Sequence, residues 1–214
     1  MEDSIWDIEG RKIKNFFTGH ELAVNSLDFS RDGTRLASGS WDGTARLWNM
    51  ETGLGLLRLS IEAGVMTVAI RSDGKCMAVG GWDNIVRIWD IEKGTMVERL
   101  MGHTGGVYSV AFCPNGRELF SGSLDNTIKR WEVNRMAAPC AGVCNATFVG
   151  HKDSVTTLAL SADGKWVVSG SDDRRVLFWN TTDRHPHFMV ESHRSRGYQQ
   201  RLCFGRWAFV DSPR

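Results

Sequence analysis

Across 214 residues the chain is 42% hydrophobic and 24% charged, with 26 basic against 25 acidic side chains and a formal net charge of +1. That supplies a sizeable core for one or two domains. Balanced charge argues against direct nucleic-acid binding, and no apolar run approaches the ~18 residues of a membrane span, so neither partner is expected.

The N-terminal "MEDSIWDIEG" is acidic and mixed, unlike a signal peptide. Long amphipathic helical patterns are missing. Short apolar runs are instead broken by Gly, Asp, Asn and Ser, with 23 glycines and only 4 prolines, which predicts an all-β chain. Five cysteines (Cys76, Cys113, Cys140, Cys144 and Cys203) form an odd set and read as free thiols of an intracellular protein. The "CAGVC" at 140–144 offers two metal ligands at most, with no further pair nearby, so it reads as a loop. No metal or other cofactor is expected.

From Gly102 to Glu132 the sequence places His, Ser, Asp and Trp in a fixed order, a composition that hydrolases share. The same set recurs along the chain. His20, His103 and His151 each precede a serine by 18 residues (Ser38, Ser121, Ser169) and an aspartate by 22 (Asp42, Asp125, Asp173). Each also precedes a tryptophan by 28 (Trp48, Trp131, Trp179). With Trp6 and Trp89 included, the tryptophans are spaced by 42, 41, 42 and 48 residues. A catalytic triad occurs once; this set occurs three times and is therefore structural. His185, His187 and His193 stand outside it, without a carboxylate at telling spacing, and no enzyme is expected.

The pattern resembles the WD40 repeat, in which each repeat of roughly 40–45 residues forms one four-stranded blade of a β-propeller. The resemblance covers residues 1 to about 183. It implies that the turn aspartate accepts from histidine, which links on to serine and tryptophan. Asp32-Gly33, Asp73-Gly74, Asn115-Gly116 and Asp163-Gly164 then turn the first strand into the second. "VYSVAF" and "VTTLAL" read as strands covered on both faces. The blade of Trp89 departs from the pattern: Ser60-Ile61 replaces Gly-His and Val79 replaces serine. Its Asp83 must find other donors, such as N–H groups of its own turn, and the weakest polar network is expected there.

About four and a half blades follow, an incomplete propeller that begins inside a third strand and carries a connection after Trp131 lengthened by about six residues. A closed small propeller is the other reading. Residues 184–214 read as a tail outside the repeat register, as a shifted reading frame would produce. Open propeller edges suggest self-association or a truncated product without independent function.

In such a propeller one face collects the turn before each aspartate and the entry of each first strand. Those positions hold Asn25, Trp41, Met66, Trp82, Tyr108, Leu124, Thr156 and Asp172, an arc with the aromatic types that dominate binding hot spots. The blades are similar, more narrowly, to those of fungal Tup-type transcriptional corepressors. That resemblance implies a nuclear protein-interaction scaffold binding peptide segments of DNA-bound repressors, or histone tails. Scaffolds of other intracellular complexes share the blade pattern.

Overall fold

The computed structural model describes residues 2–7, 10–133 and 143–191, with side chains for 10, 11, 16–133 and 143–190. The described residues form eighteen strands and no helix. β1 (Glu2–Asp7) pairs antiparallel with β2 (Lys12–Thr18) in a two-stranded sheet. Four sheets of four antiparallel strands follow, each a meander in chain order. The first holds β3 (Val24–Phe29), β4 (Arg35–Ser40), β5 (Thr44–Asn49) and β6 (Gly55–Ser60); the second β7 (Val65–Ile70), β8 (Cys76–Gly81), β9 (Val86–Asp90) and β10 (Thr95–Leu100). The third holds β11 (Val107–Phe112), β12 (Glu118–Ser123), β13 (Thr127–Glu132) and β14 (Val143–Val149); the fourth β15 (Val155–Leu160), β16 (Trp166–Ser171), β17 (Arg175–Asn180) and β18 (Pro186–Glu191).

Two sequence expectations change. Pro186–Glu191, read with the tail, is the outer strand of the fourth sheet, paired along β17 from Trp179↔Pro186 to Arg175↔Glu191. It starts seven residues after its tryptophan, as β6 does after Trp48, but carries no marker residue of its own. Cys144, read in a loop, pairs with Trp131 inside β14. The connection 134–142, Cys140, and residues 192–214 with His193 and Cys203 lie outside the described residues.

The first-to-second-strand turns take their shape from one glycine each. Gly33, Gly74, Gly116 and Gly164 adopt φ of 69°, 68°, 66° and 70°, a left-handed conformation that a Cβ disfavours. Burial is deepest in the second strands and falls toward the outer ones. All six residues of β7 and of β8 are buried, whereas β6 and β14 are mostly exposed.

Each core lies between successive sheets. One gathers Leu47, Val65, Val68 and Met77, the next Ile88, Val107, Val110 and Trp131, and a third Phe120, Phe148, Val155 and Trp179. Phe17 of β2 closes on Leu36 and Trp48 of the first sheet. At each joint a valine seats in a glycine of its neighbour. A Cβ added at Gly39, Gly80 or Gly122 would lie 2.5, 2.8 or 2.7 Å from Cγ1 of Val65, Val107 or Val155. The inner strands are also tied laterally. The Val68, Val110 and Leu158 N–H groups donate to the hydroxyls of Ser26, Thr67 and Ser109 at 3.1, 3.1 and 3.0 Å. The Ile70 N–H donates to Asp28 at 2.7 Å. Around these four inner strands lies a cavity of about 750 Å³.

Candidate partner-binding face

Three repeated networks hold one end of the sheets in place. A carboxylate only accepts, so histidine Nδ1–H donates to aspartate: His20 to Asp42 at 2.9 Å, His103 to Asp125 at 2.7 Å and His151 to Asp173 at 2.9 Å. Nε2 then accepts the serine hydroxyl of Ser38, Ser121 or Ser169, each at 2.7 Å. The same oxygen accepts the indole N–H of Trp48, Trp131 or Trp179 at 2.8, 2.7 and 2.8 Å. Every polar group along this buried chain is thereby satisfied, and both ring nitrogens of each histidine are engaged.

Burial works against the charge of Asp42, but hydrogen bonds from Thr44, the Glu21 N–H and His20 outweigh it and hold the carboxyl well below its usual range. Asp125 and Asp173 are depressed in the same way, each against its own burial. Burial lowers the His151 imidazole despite Asp173 beside it, which keeps the ring neutral at pH 7.

The second sheet solves the problem differently. Val79 is wholly buried where serine stands elsewhere, and the Trp89 indole N–H has no hydrogen-bond partner among the described residues. Arg87, two residues before Trp89, donates to Asp83 at 2.6 Å. The turn's own Ile85 N–H reaches Asp83 only at 3.4 Å, so the ion pair replaces most of what histidine does elsewhere. A basic residue two before the tryptophan was visible in the sequence (Arg46, Arg87, Lys129) but was not read as a substitute donor.

These networks set the turns beside them. In each sheet the residue after the second strand donates its N–H to the entry of the first strand: Trp41 to Ala23, Trp82 to Gly64, Leu124 to Gly106 and Asp172 to Ser154, at 2.9–3.2 Å. Two residues further along, the first strand's pairing slips at the same place in all four sheets, skipping Asn25, Met66, Tyr108 and Thr156. A bulge re-aims the side chain it carries. All four line the end of the cavity that these turns surround. The eight expected positions therefore form two tiers on one face, the bulged residues at the cavity mouth and Trp41, Trp82, Leu124 and Asp172 on its rim.

The rim is partly apolar and open. Trp41 is 51% exposed, Trp82 46% and Leu124 42%. Trp41 is pinned by its indole N–H on the Met66 sulfur at 3.3 Å. Trp82 meets Tyr108 edge-on, with ring centroids 5.5 Å apart. Its ring lies over Gly64 and Gly106, where a Cβ would approach it to 3.2 Å. Asn25 is turned inward and donates to the Val65 carbonyl at 3.1 Å, and Thr156 donates to the Gly170 carbonyl at 3.3 Å. Burial, and then the charge of Asp172, push the Tyr108 hydroxyl upward in pKa. The two tryptophan rings are thus held in fixed orientations with about half their surface facing solvent. That arrangement suits a contact surface, because little side-chain entropy remains to be lost on binding.

Repeated four-stranded sheets around a common cavity, three of the four secured by a His–Ser–Trp network, define a β-propeller array of the WD-repeat class. A family model described as "WD domain, G-beta repeat" matches residues 11–49, 57–90, 94–132 and 142–180, well over half of the chain, which belongs to the WD40 family. The chain is 50% identical over 200 residues to the transcriptional repressor rco-1 of Neurospora crassa, covering 89% of this chain and 33% of that protein. It is 36% identical over 70 residues to a periodic tryptophan protein 2 homolog of Schizosaccharomyces pombe, covering 32% and 8%. It is 43% identical over 56 residues to a U3 small nucleolar RNA-associated protein 15 homolog of Xenopus tropicalis, covering 25% and 11%. The chain spans a third or less of the length of these relatives.

Proposed function

We propose that this chain is a non-catalytic scaffold of transcriptional corepression that docks peptide segments of protein partners across the cavity mouth. The observation that carries the reading is the pair of half-exposed tryptophans on successive turns, Trp41 and Trp82, each anchored from one side and bare on the other. The corepressor role draws its support from the long alignment with a transcriptional repressor, which runs through turns and connections as well as strands. The alignments with the periodic tryptophan and U3-associated proteins cover a quarter to a third of this chain and support a shared repeat rather than a shared role. DNA-bound repressors and histone tails are the partners proposed, and the nucleus is the proposed site of action.

The test is binding of fluorescent peptides tiled across a repressor sequence, read by anisotropy. Trp82→Ala and Tyr108→Ala each cost about 2 kcal/mol of binding, roughly thirtyfold in Kd, with an unchanged circular-dichroism spectrum. Unchanged affinity in both variants would remove this face from the mechanism.

A further inference from the structure

The two ends of the sheets differ in charge. On the aromatic face, the second-to-third-strand turns and the sheet entries expose Glu21, Glu62, Asp153 and Asp172 against Lys152 and Arg174. The aspartates of the three histidine networks add ionised carboxylates just beneath, each held by several donors. Of the cations close to this surface, Arg87 is paired with Asp83 and Arg46 is held on the Gly19 carbonyl at 2.6 Å. At the opposite end the exposed charges nearly cancel among the described residues, with Arg31, Lys75, Lys93, Arg117, Lys165 and Arg184 offset by the exposed aspartates and glutamates of the same turns. A chain of net charge +1 therefore gathers an excess of negative charge around its exposed indoles. Low-dielectric walls around a cavity mouth focus such a field.

We infer that the occupant of this face is a basic, apolar peptide segment, with lysine or arginine side chains alternating with large apolar ones. The inference rests on the docking role proposed above and adds the chemistry of the ligand. Apolar side chains of the segment cover Leu124 and the exposed parts of Trp41 and Trp82. Its cations lie over the indole faces and against the rim carboxylates, where charge and ring quadrupole act together. An acidic segment meets like charge on every approach and is excluded.

Two labelled dodecapeptides test this, one alternating Lys/Arg with Leu/Phe and its counterpart with Glu at every basic position. The basic peptide binds the full chain at least about tenfold more tightly, and its affinity falls as salt rises. Glu62→Lys/Asp172→Lys weakens it by about tenfold, whereas Glu92→Lys/Glu132→Lys at the other end leaves it unchanged. Equal binding of the two peptides, or equal loss in the two double variants, overturns the charge selection. If Trp82→Ala still weakens binding about thirtyfold in that case, the docking face survives and only the ligand chemistry fails. No measurable binding of either peptide at millimolar concentration overturns the inference outright.

Discussion

Rebuilding the missing network in the second sheet tests whether the repeated residues act as one unit. Ile61→His and Val79→Ser place imidazole and hydroxyl where the other three complete sheets have them, beside Asp83 and the unpartnered Trp89 indole. Each exchange removes buried aliphatic surface, Ile61 being 8% and Val79 0% exposed, and costs about 2–3 kcal/mol in lost burial. Taken singly, each also leaves a new buried polar group short of a partner, about 1–3 kcal/mol more. In the double variant the imidazole accepts the hydroxyl, the hydroxyl oxygen accepts the Trp89 N–H, and both penalties lapse. Arg87 has somewhere to go, since Arg46 in the first sheet donates to the Gly19 carbonyl while His20 holds Asp42. The double variant is then more stable than the sum of the singles by about 2 kcal/mol. Urea denaturation of the four proteins, followed by circular dichroism, measures the cycle. Additivity within about 0.5 kcal/mol would refute the view that these residues form a connected network.

Asp28 supplies a pH prediction. Burial pushes its carboxyl up to about 6, against the N–H bonds from Ile70 and Phe29 that pull it down. The native state thus holds a proton between the ordinary carboxylate value and about 6 that the unfolded chain has released. Stability falls as pH rises through that window, by about 3 kcal/mol in all. Asp28→Asn keeps an acceptor for Ile70, flattens this dependence and raises stability at pH 7 by about 1–3 kcal/mol; thermal melts of both proteins from pH 4 to 7.5 decide it, and parallel curves would count against a buried ionised group. At the sheet joints, Gly122→Ala drives a methyl to 2.7 Å from Val155 of the next sheet and costs about 1–3 kcal/mol. At the equivalent Gly170 the added carbon meets only Thr157 of its own sheet, at 2.8 Å, so Gly170→Ala costs about 1 kcal/mol less; equal losses would mean that the joint is not where the strain falls.

Much of this architecture was legible because it repeats. A single His, Ser, Asp or Trp says little, but three identical spacings are met only by one geometry reused, and the same alignment put Trp41, Trp82 and Tyr108 on a common face. What escaped notice lacked either repetition or a marker. β18 begins at a proline and carries no turn aspartate or tryptophan, so only its distance from Trp179 hinted at a strand. The bulges at Asn25, Met66, Tyr108 and Thr156 leave no trace in residue type, because four different side chains occupy one backbone irregularity. The lateral bonds did leave a signal, a hydroxyl two residues after the entry valine in Ser26, Thr67, Ser109 and Thr157. Its meaning depends on a neighbouring sheet, which no single repeat contains. Asp83, expected to find donors such as the N–H groups of its own turn, takes the Ile85 N–H only at 3.4 Å and pairs with Arg87 as well.

The valine seated in a neighbour's glycine makes the assembly a row of couplings. Among the described residues every such seat joins one sheet to the next in chain order, so the stability of each sheet is set by itself and its immediate neighbours. Loosening then travels inward along the row, and amide protons of β7, β8, β11 and β12 exchange last. The proposed docking face spans all four sheets, so a segment lying across it would clamp several couplings at once. Its binding energy would return to the scaffold as resistance to opening.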